Sequence, residues 1–503
     1  MSHDDSSNQT TPHVYVPQPL YSHPQPQKKN NPVTLQSHLS KPNTEQEQTF
    51  NKPSDNIPNN ENNSLQELQN LIQQAFNNHA FSAPPLIKEQ KQSTTTTVAA
   101  EPAQENKYQL EDKKENVVSS VEDDGAKTVE AIEESIVAVS ASVPPEQKPV
   151  VEKVEASLPL PPEQVSIYGI PLLADETSDV ILLKFLRARD FKVKEAFTMI
   201  KNTILWRKEF GIEELMDEKL GDELEKVVYM HGFDKEGHPV CYNIYGEFQN
   251  KELYNKTFSD EEKRHNFLKW RIQFLEKSIR NLDFNHGGVC TIVHVNDLKD
   301  SPGPGKWELR QATKQALQLF QDNYPEFVAK QVFINVPWWY LAVNRMISPF
   351  LTQRTKSKFV FAGPSKSTET LLSYIAPEQL PVKYGGLSKD GEFGNSDSVT
   401  EITIRPASKH TVEFPVTEKC LLSWEVRVIG WEVRYGAEFV PSNEGSYTVI
   451  VQKARKVASS EEAVLCNSFK INEPGKVVLT IDNTSSRKKK LLYRLKTKTS
   501  LSD

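Results

Sequence analysis

The sequence predicts an α/β domain followed by an all-β sandwich, behind a disordered acidic tail. Three observations predict this order. The first 160 residues hold 22 acidic and 12 basic side chains, a net charge of −10, and half of the 32 prolines, but none of the seven tryptophans. Strand and helix patterns then alternate to about residue 390, and only short strand patterns follow. A chain of 503 residues is long enough for two or three domains.

The tail is predicted to be disordered because its polar runs cannot bury enough apolar surface to offset the entropy lost on ordering. Within it, four apolar residues recur at helical spacing: Leu65, Leu68, Ile72 and Phe76. Two interpretations stay open for this segment, a helix that forms on binding a partner or transient helix in a disordered region. Acidic and proline-rich stretches then close the tail.

A helical hairpin is predicted next. Apolar residues recur at three- and four-residue spacing through DVILLKFLRARDFKVKEAFTMIKNTILWRKEFG. Gly211 is the expected end of the second helix, since glycine tolerates the left-handed conformation that often follows a helix.

Strand patterns alternate with helix patterns up to residue 390. The strands are HPVCYNI, VCTIVHVNDL, KQVFINVP and KFVFAG, and the second is a nearly continuous apolar run of the kind that buried parallel strands show. Between them lie the helix EEKRHNFLKWRIQFLEKSIRNL, a helix from Trp307 to Phe320 and a helix near WYLAVNRMISPFL. This alternation predicts a mostly parallel sheet covered by helices.

After Gly391 the apolar period changes to two. Four residues alternate with polar neighbours, as in a half-buried antiparallel strand: Leu422, Trp424, Val426 and Val428. ITIRPA, HTVEFPV, SYTVIVQKA, KVVLTIDN and KLLYRLKTK are further short strands. Several short strands without a helix pattern predict a β-sandwich.

The cysteines and the hydropathy pattern indicate the cellular compartment of the protein. Cys241, Cys290, Cys420 and Cys466 show no C-x-x-C spacing, which favours reduced thiols over a zinc site or a redox motif. No stretch approaches 18 consecutive apolar residues, and the first 30 residues lack the apolar core of a signal peptide. We therefore expect a cytoplasmic protein that contacts membranes only peripherally.

No motif predicts catalysis, a metal or nucleic-acid binding. The sequence contains no G-x-S-x-G, no H-E-x-x-H and no P-loop, because SPGPGKWE lacks the first glycine of that motif. Its histidines lack metal-ligand spacing. Residues 161–503 hold 48 basic and 45 acidic side chains, a net charge of only +3, and the basic residues do not alternate with aromatic ones. We therefore expect no enzyme and no nucleic-acid partner.

Several stretches resemble known lipid-binding proteins. LLKFLRARDFKVKEAFTMIKNTILWRKEFG resembles the N-terminal helical segment of the CRAL-TRIO family, and YPEFVAKQVFINVPWWYLAVNRMISPFLTQRTKSKFVF, followed by LPVKYGG, resembles its lipid-binding core. SWEVRVIGWEVRYGAEFVP and DNTSSRKKKLLYRLK resemble a GOLD domain. The combination resembles the plant patellins. It implies four parts: a disordered acidic tail (1–165), a CRAL-TRIO N-terminal helical lobe (166–212), a CRAL-TRIO lipid-binding domain (213–390) and a GOLD β-sandwich (391–503).

The CRAL-TRIO resemblance implies an apolar cavity on the sheet, sized for one phospholipid, under a helical gate. The gate corresponds to residues 338–351, with an apolar cluster of Leu341, Val343, Met346, Ile347 and Phe350. Read alone, this stretch has the pattern of any packed core helix, and only the resemblance favours a gate. The bound molecule is expected to be phosphatidylinositol or a phosphoinositide, with no other cofactor.

The resemblance also implies three residues for an inositol phosphate head group, namely Glu326, Thr355 and Lys358. An ammonium supplies a point charge to the phosphate and a hydroxyl donates to its oxygens. A carboxylate accepts from inositol hydroxyls or holds the lysine. From the residues alone, an ion pair between strand ends is the alternative.

Three positions depart from the family pattern. Asp190 stands where phosphatidylinositol carriers have a basic residue, which weakens the positive field beside the head group. Three basic residues remain close in sequence: Lys184, Arg187 and Arg189. Ile292 and His294 stand where dual-specificity carriers place a serine and a threonine for phosphatidylcholine. Phosphatidylcholine exchange is thus less expected than phosphoinositide binding, and His294 is interpreted as a hydrogen-bonded strand histidine.

The last motif in the chain is a run of basic residues. Arg487, Lys488, Lys489 and Lys490 lie between the turn DNTSS and the last strand. Charges at a strand edge are one interpretation. On a GOLD domain the run resembles a membrane-facing loop, where each Lys or Arg near an anionic leaflet is worth about 1 kcal/mol. We hypothesise that the acidic tail competes for this run, so that removing residues 1–160 tightens binding to anionic liposomes.

The resemblance therefore predicts a phosphoinositide-binding or phosphoinositide-transfer protein that acts peripherally at membranes in vesicle or membrane trafficking. It also implies a place at the cell plate during cytokinesis. The alternative is an adaptor, in which the GOLD domain binds trafficking or cargo proteins and the lipid cavity is structural. The residues do not determine which phosphoinositide is preferred or whether the lipid is transferred or only sensed. They also leave open the partner of the tail and the oligomeric state.

Overall fold

The computed structural model describes residues 59–82, 162–302, 306–338, 357–430, 432–458 and 463–499. All of these lie within residues 55–503, which form one compact unit. None of the helices in these ranges combines the length and the apolar composition that crossing a bilayer requires.

A helical lobe comes first in the chain. Its helices are α1 (Asn59–Asn77), α2 (Glu176–Ala188), α3 (Val193–Phe210) and the short α4 (Ile212–Leu215), and strands β1 (Ser166–Ile167) and β2 (Ile170–Pro171) pair before α2. Helix α2 begins after Asp175, whose carboxylate accepts from the backbone N–H of Thr177. Helix α3 ends at Gly211 with φ 69°, a conformation that favours glycine and confirms the predicted helix end.

Helix α1 overturns part of the prediction for the tail. Leu68 and Ile72 are fully buried, and they belong to the same apolar core as residues of α2 and α3. At the surface of this contact, Gln69 Nε2 donates to Asp179 Oδ1 on α2 over 2.6 Å. The predicted disorder is therefore wrong for residues 59–82, because the apolar face of α1 finds its partner within the same chain.

A five-stranded mixed sheet follows. Its order is β3 (Val228–Phe233), β4 (Pro239–Ile244), β5 (Ile292–Asp297), β6 (Val328–Ile334) and β7 (Phe359–Phe361). Strand β3 runs antiparallel to β4, and the other neighbours are parallel. The predicted mostly parallel sheet is confirmed. The edge strand β3 was not predicted, since most of its side chains are half-buried and show no clear alternation.

The helices of this domain are α5 (Lys251–Phe258), α6 (Glu261–Arg280), α7 (Trp307–Asn323) and α8 (Ser367–Tyr374), with 3₁₀ turns at Tyr245–Gln249 and Val382–Tyr384. Strands β4 to β7 lie side by side in chain order. Their right-handed crossovers therefore place α5, α6 and α7 on one face of the sheet. The other face packs on α8, on residues 375–387 and on side chains of the last domain.

The last domain is an antiparallel β-sandwich, as predicted. One sheet has the order β13 (Leu465–Ile471), β10 (Cys420–Ile429), β15 (Lys489–Thr499) and β8 (Thr400–Ile404). The other has the order β12 (Val449–Val457), β11 (Val433–Pro441), β14 (Gly475–Asn483) and β9 (Ser408–Val416). Between them lies the fully buried Trp424, whose Nε1 donates to Tyr435 Oη over 2.8 Å.

Two arginines, the buried Arg494 and the half-buried Arg427, join the sandwich to the α/β domain. Arg494 on β15 donates to Glu425 of its own sheet and to the carbonyl oxygens of Leu387 and Gly394 over 2.8 Å each. Arg427 on β10 donates to the carbonyls of Val382 and Gly386 over 2.7 and 2.9 Å. These bonds tie the outer face of the first sandwich sheet to the segment beneath the mixed sheet.

Candidate functional site

An apolar cavity lies between the mixed sheet and the helices that cover it. It has a volume of about 60 Å³, far smaller than a phospholipid. Its lining residues come from strands β3 to β6, helices α6 and α7, and the turn before β6: Met230, Cys241, Arg271, Phe274, Leu275, Ser278, Ile292, His294, Phe320, Tyr324, Phe327 and Val328. The cavity is at the expected place. A whole lipid needs more room than this volume offers.

The lining residues form the wall of the cavity, and their positions follow from strand alternation and helix periodicity. Successive residues of a strand point to opposite faces, so Ile292 and His294 face the cavity while Val293 and Val295 pack on the other side of the sheet. On α6, the lining residues Arg271, Phe274, Leu275 and Ser278 follow the three- and four-residue spacing of one helix face.

Arg271 is the charged group of this wall. Its Nη1 donates to Asn243 Oδ1 over 3.2 Å, and its guanidinium lies 5.6 Å from the centre of the Phe320 ring. No carboxylate among the described residues lies within ion-pair distance of Arg271. A guanidinium therefore lies against an apolar cavity, and no described residue supplies its counter-charge.

His294 lies on the strand beneath Arg271. Burial, with a smaller contribution from the charge of Arg271, lowers the pKa of His294 to about 4. The imidazole is therefore neutral at physiological pH. No hydrogen bond to the His294 ring is present among the described residues, so the sequence interpretation of a hydrogen-bonded strand histidine stays a prediction. Burial also raises the pKa of the neighbouring Cys241 thiol to about 12, which makes this thiol unreactive.

Two of the predicted head-group residues meet beside the cavity. Lys358 Nζ donates to Glu326 Oε2 over 2.9 Å, and about a fifth of each side chain is exposed. Glu326 directly precedes Phe327 and Val328, which both line the cavity. The third predicted residue, Thr355, lies outside the described residues, as do the gate residues Leu341, Val343, Met346, Ile347 and Phe350.

The basic residues in helix α2 and directly after it have other roles than the sequence suggested. Lys184 is buried, and its Nζ donates to the carbonyls of Cys290 and Glu326 over 2.9 and 3.0 Å. Burial lowers its pKa. Arg187 lies 3.9 Å from Glu61 of α1, and Arg189 donates to the carbonyl of Ala188. Lys184 therefore anchors α2 to the turn before β6 and offers no free charge to a head group.

The basic run is divided between surface and core. Arg487 and Lys488 are exposed. Lys489 is buried and its Nζ donates to the carbonyl of Gly430 over 2.7 Å, while Lys490 forms an ion pair with Glu401 over 2.5 Å. The prediction that all four side chains form an exposed loop is thus wrong for Lys489, because the strand alternation of β15 turns it toward the protein.

A turn brings three possible metal ligands together, which the sequence spacing did not predict. Ligand atoms of Asp234, Glu236 and His238 lie within 4.8 Å of one another in the turn between β3 and β4. The carboxylate of Asp234 already accepts from the backbone N–H groups of Glu236 and His238 and contacts the His238 ring at 3.0 Å. These bonds account for the cluster as a turn-stabilising group.

Comparisons with family models match three segments of this chain. Residues 149–202 match the CRAL/TRIO N-terminal domain, residues 224–386 match the CRAL/TRIO domain, and residues 405–490 match the Patellin-1-like C-terminal GOLD domain. The order of the three segments agrees with the helical lobe, the mixed sheet and the sandwich.

Curated relatives extend this likeness over most of the chain. Patellin-5 of Arabidopsis thaliana is 66% identical over 340 residues, which are 67% of this chain and 51% of the relative. Patellin-3 of the same plant is 66% identical over 342 residues, covering 67% of this chain and 70% of the relative. The phosphatidylinositol transfer protein SFH5 of Meyerozyma guilliermondii is 30% identical over 50% of this chain and 75% of its own. This chain thus spans about half the length of Patellin-5.

Proposed function

This chain belongs to the patellin family, and on that premise we propose that it binds a phosphoinositide and transfers or presents it at membrane surfaces during trafficking. The proposal includes a peripheral position on membranes and a place at the cell plate during cytokinesis. The likeness to a relative named as a phosphatidylinositol transfer protein supports the lipid class.

The ion pair of Glu326 and Lys358 beside the apolar cavity carries this proposal. Because Phe327 and Val328 line the cavity directly after Glu326, acyl chains held there would bring the head group close to the pair. In the absence of lipid, Glu326 holds the lysine in position. We propose that a lipid phosphate takes over Lys358, that Glu326 accepts from inositol hydroxyls, and that Thr355 donates to the phosphate.

A second contact is proposed at the sandwich. Arg487 and Lys488 are the exposed members of the basic run, and we propose that they face the anionic leaflet. Two such side chains contribute about 2 kcal/mol to binding an anionic surface, which is roughly thirtyfold in affinity. Lys489 is not part of this contact, since its ammonium is bound to the carbonyl of Gly430.

Liposome co-sedimentation and lipid transfer against a phosphoinositide panel test both contacts. We expect Lys358→Ala to lower head-group-selective binding about tenfold or more, because a charge-assisted bond is lost. A matched control is Lys366→Ala, which removes an exposed lysine of the same domain. Joint replacement of Arg487 and Lys488 by Ala should instead weaken binding to all anionic vesicles. If neither variant differs from the parent, the lipid proposal fails and the adaptor takes its place.

The adaptor alternative is favoured by one surface of the sandwich. Strand β12 lies at the edge of its sheet, and three apolar side chains at its start are exposed: Tyr447 (91%), Val449 (44%) and Ile450 (68%). An exposed apolar edge strand is a common site of strand addition by a partner. Under this alternative, Ile450→Asp abolishes association with a trafficking protein and leaves lipid binding unchanged. Loss of lipid binding in this variant would instead assign the edge to the membrane.

A further inference from the structure

The cavity wall contains a cation that the proposed head-group pair does not use. Arg271 donates one hydrogen bond, to Asn243 Oδ1, and its other N–H groups have no hydrogen-bond partner among the described residues. A guanidinium carries five N–H donors and stays charged at any physiological pH. Arg271 is half-buried, and keeping the part of its charge that faces the apolar wall away from water is costly unless an anion accompanies it.

Its surroundings are suited to one anionic group on an apolar molecule. Most of the neighbouring wall is apolar, with Phe274, Phe320 and Phe327 among its aromatic residues. His294, on the floor of the same cavity, is uncharged and offers one ring N–H that no described residue engages. Asn243 fixes the guanidinium from one side, so its remaining donors have a defined direction.

We infer that Arg271 and His294 form an internal subsite for the anionic group, a phosphodiester or a carboxylate, of an amphiphilic lipid. This inference rests on the proposed lipid-binding function and adds a selection rule to it. A zwitterionic choline head group brings a cation toward a guanidinium, which costs Coulomb energy in an apolar wall. The subsite therefore favours lipids with a net negative charge over phosphatidylcholine, and it consists of other residues than the pair formed by Glu326 and Lys358.

The occupant is an amphiphile and not a free anion. The cavity wall offers aromatic and aliphatic surface next to the guanidinium, and burying apolar surface contributes to binding in proportion to its area. Inorganic phosphate gains none of this contribution and stays better solvated in water. Binding of phosphate alone should accordingly be weak.

The experiment measures which lipids the full chain retains. The protein is incubated with vesicles containing equal amounts of phosphatidylinositol, phosphatidic acid, oleate and phosphatidylcholine, separated from them, and its bound lipids are quantified by mass spectrometry. Three variants are compared with the parent: Arg271→Met, Arg271→Lys and Lys277→Met. Lys277 is an exposed cation on the same helix and serves as the matched control.

We expect Arg271→Met to lower the ratio of acidic lipid to phosphatidylcholine about tenfold or more, since a charge-assisted contact is lost. Arg271→Lys should keep most of the ratio, and Lys277→Met should keep all of it. Because methionine suits an apolar wall, the melting temperature of Arg271→Met should not fall below that of the parent. A lower ratio of acidic lipid to phosphatidylcholine at an unchanged melting temperature supports a binding role for Arg271.

Other outcomes overturn the inference. An unchanged lipid ratio in Arg271→Met rejects the subsite while leaving the proposed function intact. A parent that retains no lipid of any class rejects the proposed function itself and the subsite with it. Titration of the parent with inorganic phosphate, followed by calorimetry, distinguishes the source of the anion. Tight phosphate binding that Arg271→Met abolishes rejects the lipid as its occupant.

Discussion

Two arginines on neighbouring helices differ in what balances their charge. Arg207 of α3 is 5% exposed and forms a two-bond pair with Glu276 of α6, which is fully buried. Burial alone would lower the pKa of Arg207, but the carboxylate of Glu276 raises it above its usual value. Arg271 of the same helix has no such carboxylate among the described residues. Its charge is available to a ligand, whereas that of Arg207 is fixed to the fold.

The pair of Arg207 and Glu276 gives a first prediction. Arg207→Met removes the two-bond partner of the buried carboxylate of Glu276 and leaves it only the 3.5 Å ion pair with Arg280, so we expect the free energy of unfolding to fall by about 3 kcal/mol. The double variant Arg207→Met with Glu276→Gln should recover part of that loss. Lys192→Met, which breaks an exposed pair with Glu195, should cost less than about 1 kcal/mol. Urea unfolding measures all three, and equal losses in the single and double variants would contradict the argument.

His294 gives a prediction about pH. Its pKa is about 4 in the folded chain, below the ordinary value of 6.5, so the unfolded state binds a proton that the folded state does not. The stability linked to this residue is complete above pH 6.5 and is lost as the pH falls toward 4. Between pH 7 and pH 5 the parent should lose about 2 kcal/mol more than His294→Gln.

Denaturant unfolding at the two pH values measures this difference. The matched control is His286→Gln, which removes an exposed histidine from the same domain. The control should follow the parent across the whole range. If His294→Gln also follows the parent, the histidine is protonated in the folded chain or is not buried as described.

At the scale of elements, helix α1 shows what periodicity in a sequence determines. The apolar spacing of Leu65, Leu68, Ile72 and Phe76 predicted the helix itself, but spacing does not identify what a helix packs against. Its partner, the surface of α2 and α3, begins about 100 residues later in the chain, after a stretch whose composition predicts disorder. The contact is long-range and therefore absent from any local pattern.

The docking of α1 is testable by hydrogen exchange. Leu68 is fully buried, so Leu68→Asp places a charge in the core, and we expect the helix to detach. Backbone amides of residues 59–77 should then exchange much faster than in the parent. Gln66→Asp, on the exposed side of the same helix, should leave the exchange rates unchanged. Equal exchange in both variants would show that α1 does not depend on this contact.

The docking of α1 also changes how competition by the acidic tail should be tested. Deleting residues 1–160 removes part of the core together with the charge. Deleting residues 101–155 removes 14 acidic and 6 basic side chains, a net charge of −8, and spares α1. If the tail competes for the basic run, this deletion tightens binding to anionic liposomes, most strongly at low salt. Unchanged affinity excludes the competition.

The cavity residues show a second limit of prediction from the sequence, which is that residues far apart in the chain cannot be paired from local patterns. Glu326 and Lys358, 32 residues apart in the chain, were paired in advance only by resemblance to a family. Arg271 was missed, although one feature marked it: it lies four residues after Phe267 and three before Phe274, on the apolar face of α6. A charge at an apolar helical position indicates a buried role, but the strand that faces it depends on the tertiary fold.

At the scale of the whole molecule, the sandwich covers part of one face of the mixed sheet in the α/β domain. The crossover helices that the structure describes lie on one face of the mixed sheet, and on the other face Val240, Tyr242, Val293 and Val295 are buried. Part of their cover comes from the sandwich, through side chains such as the fully buried Leu492. The sequence predicted the two domains correctly but as successive units, because the outward residues of β10 and β15 look like solvent-facing positions until the other domain is placed.

Because the sandwich covers this sheet face, we predict that the two domains unfold together. Arg494 is 2% exposed, and its replacement by Met leaves the carbonyl of the buried Leu387 without its donor and also removes the bond to the carbonyl of the exposed Gly394. We expect the single calorimetric transition of the parent to fall in temperature, and to separate into two when Arg427→Met is added. Lys498→Met, an exposed position on the same strand, should melt like the parent. If the double variant keeps one transition at the parent's temperature, the arginines do not couple the domains. The cavity would then be independent of the sandwich, and variants of the sandwich would change membrane contact without changing the lipid that is held.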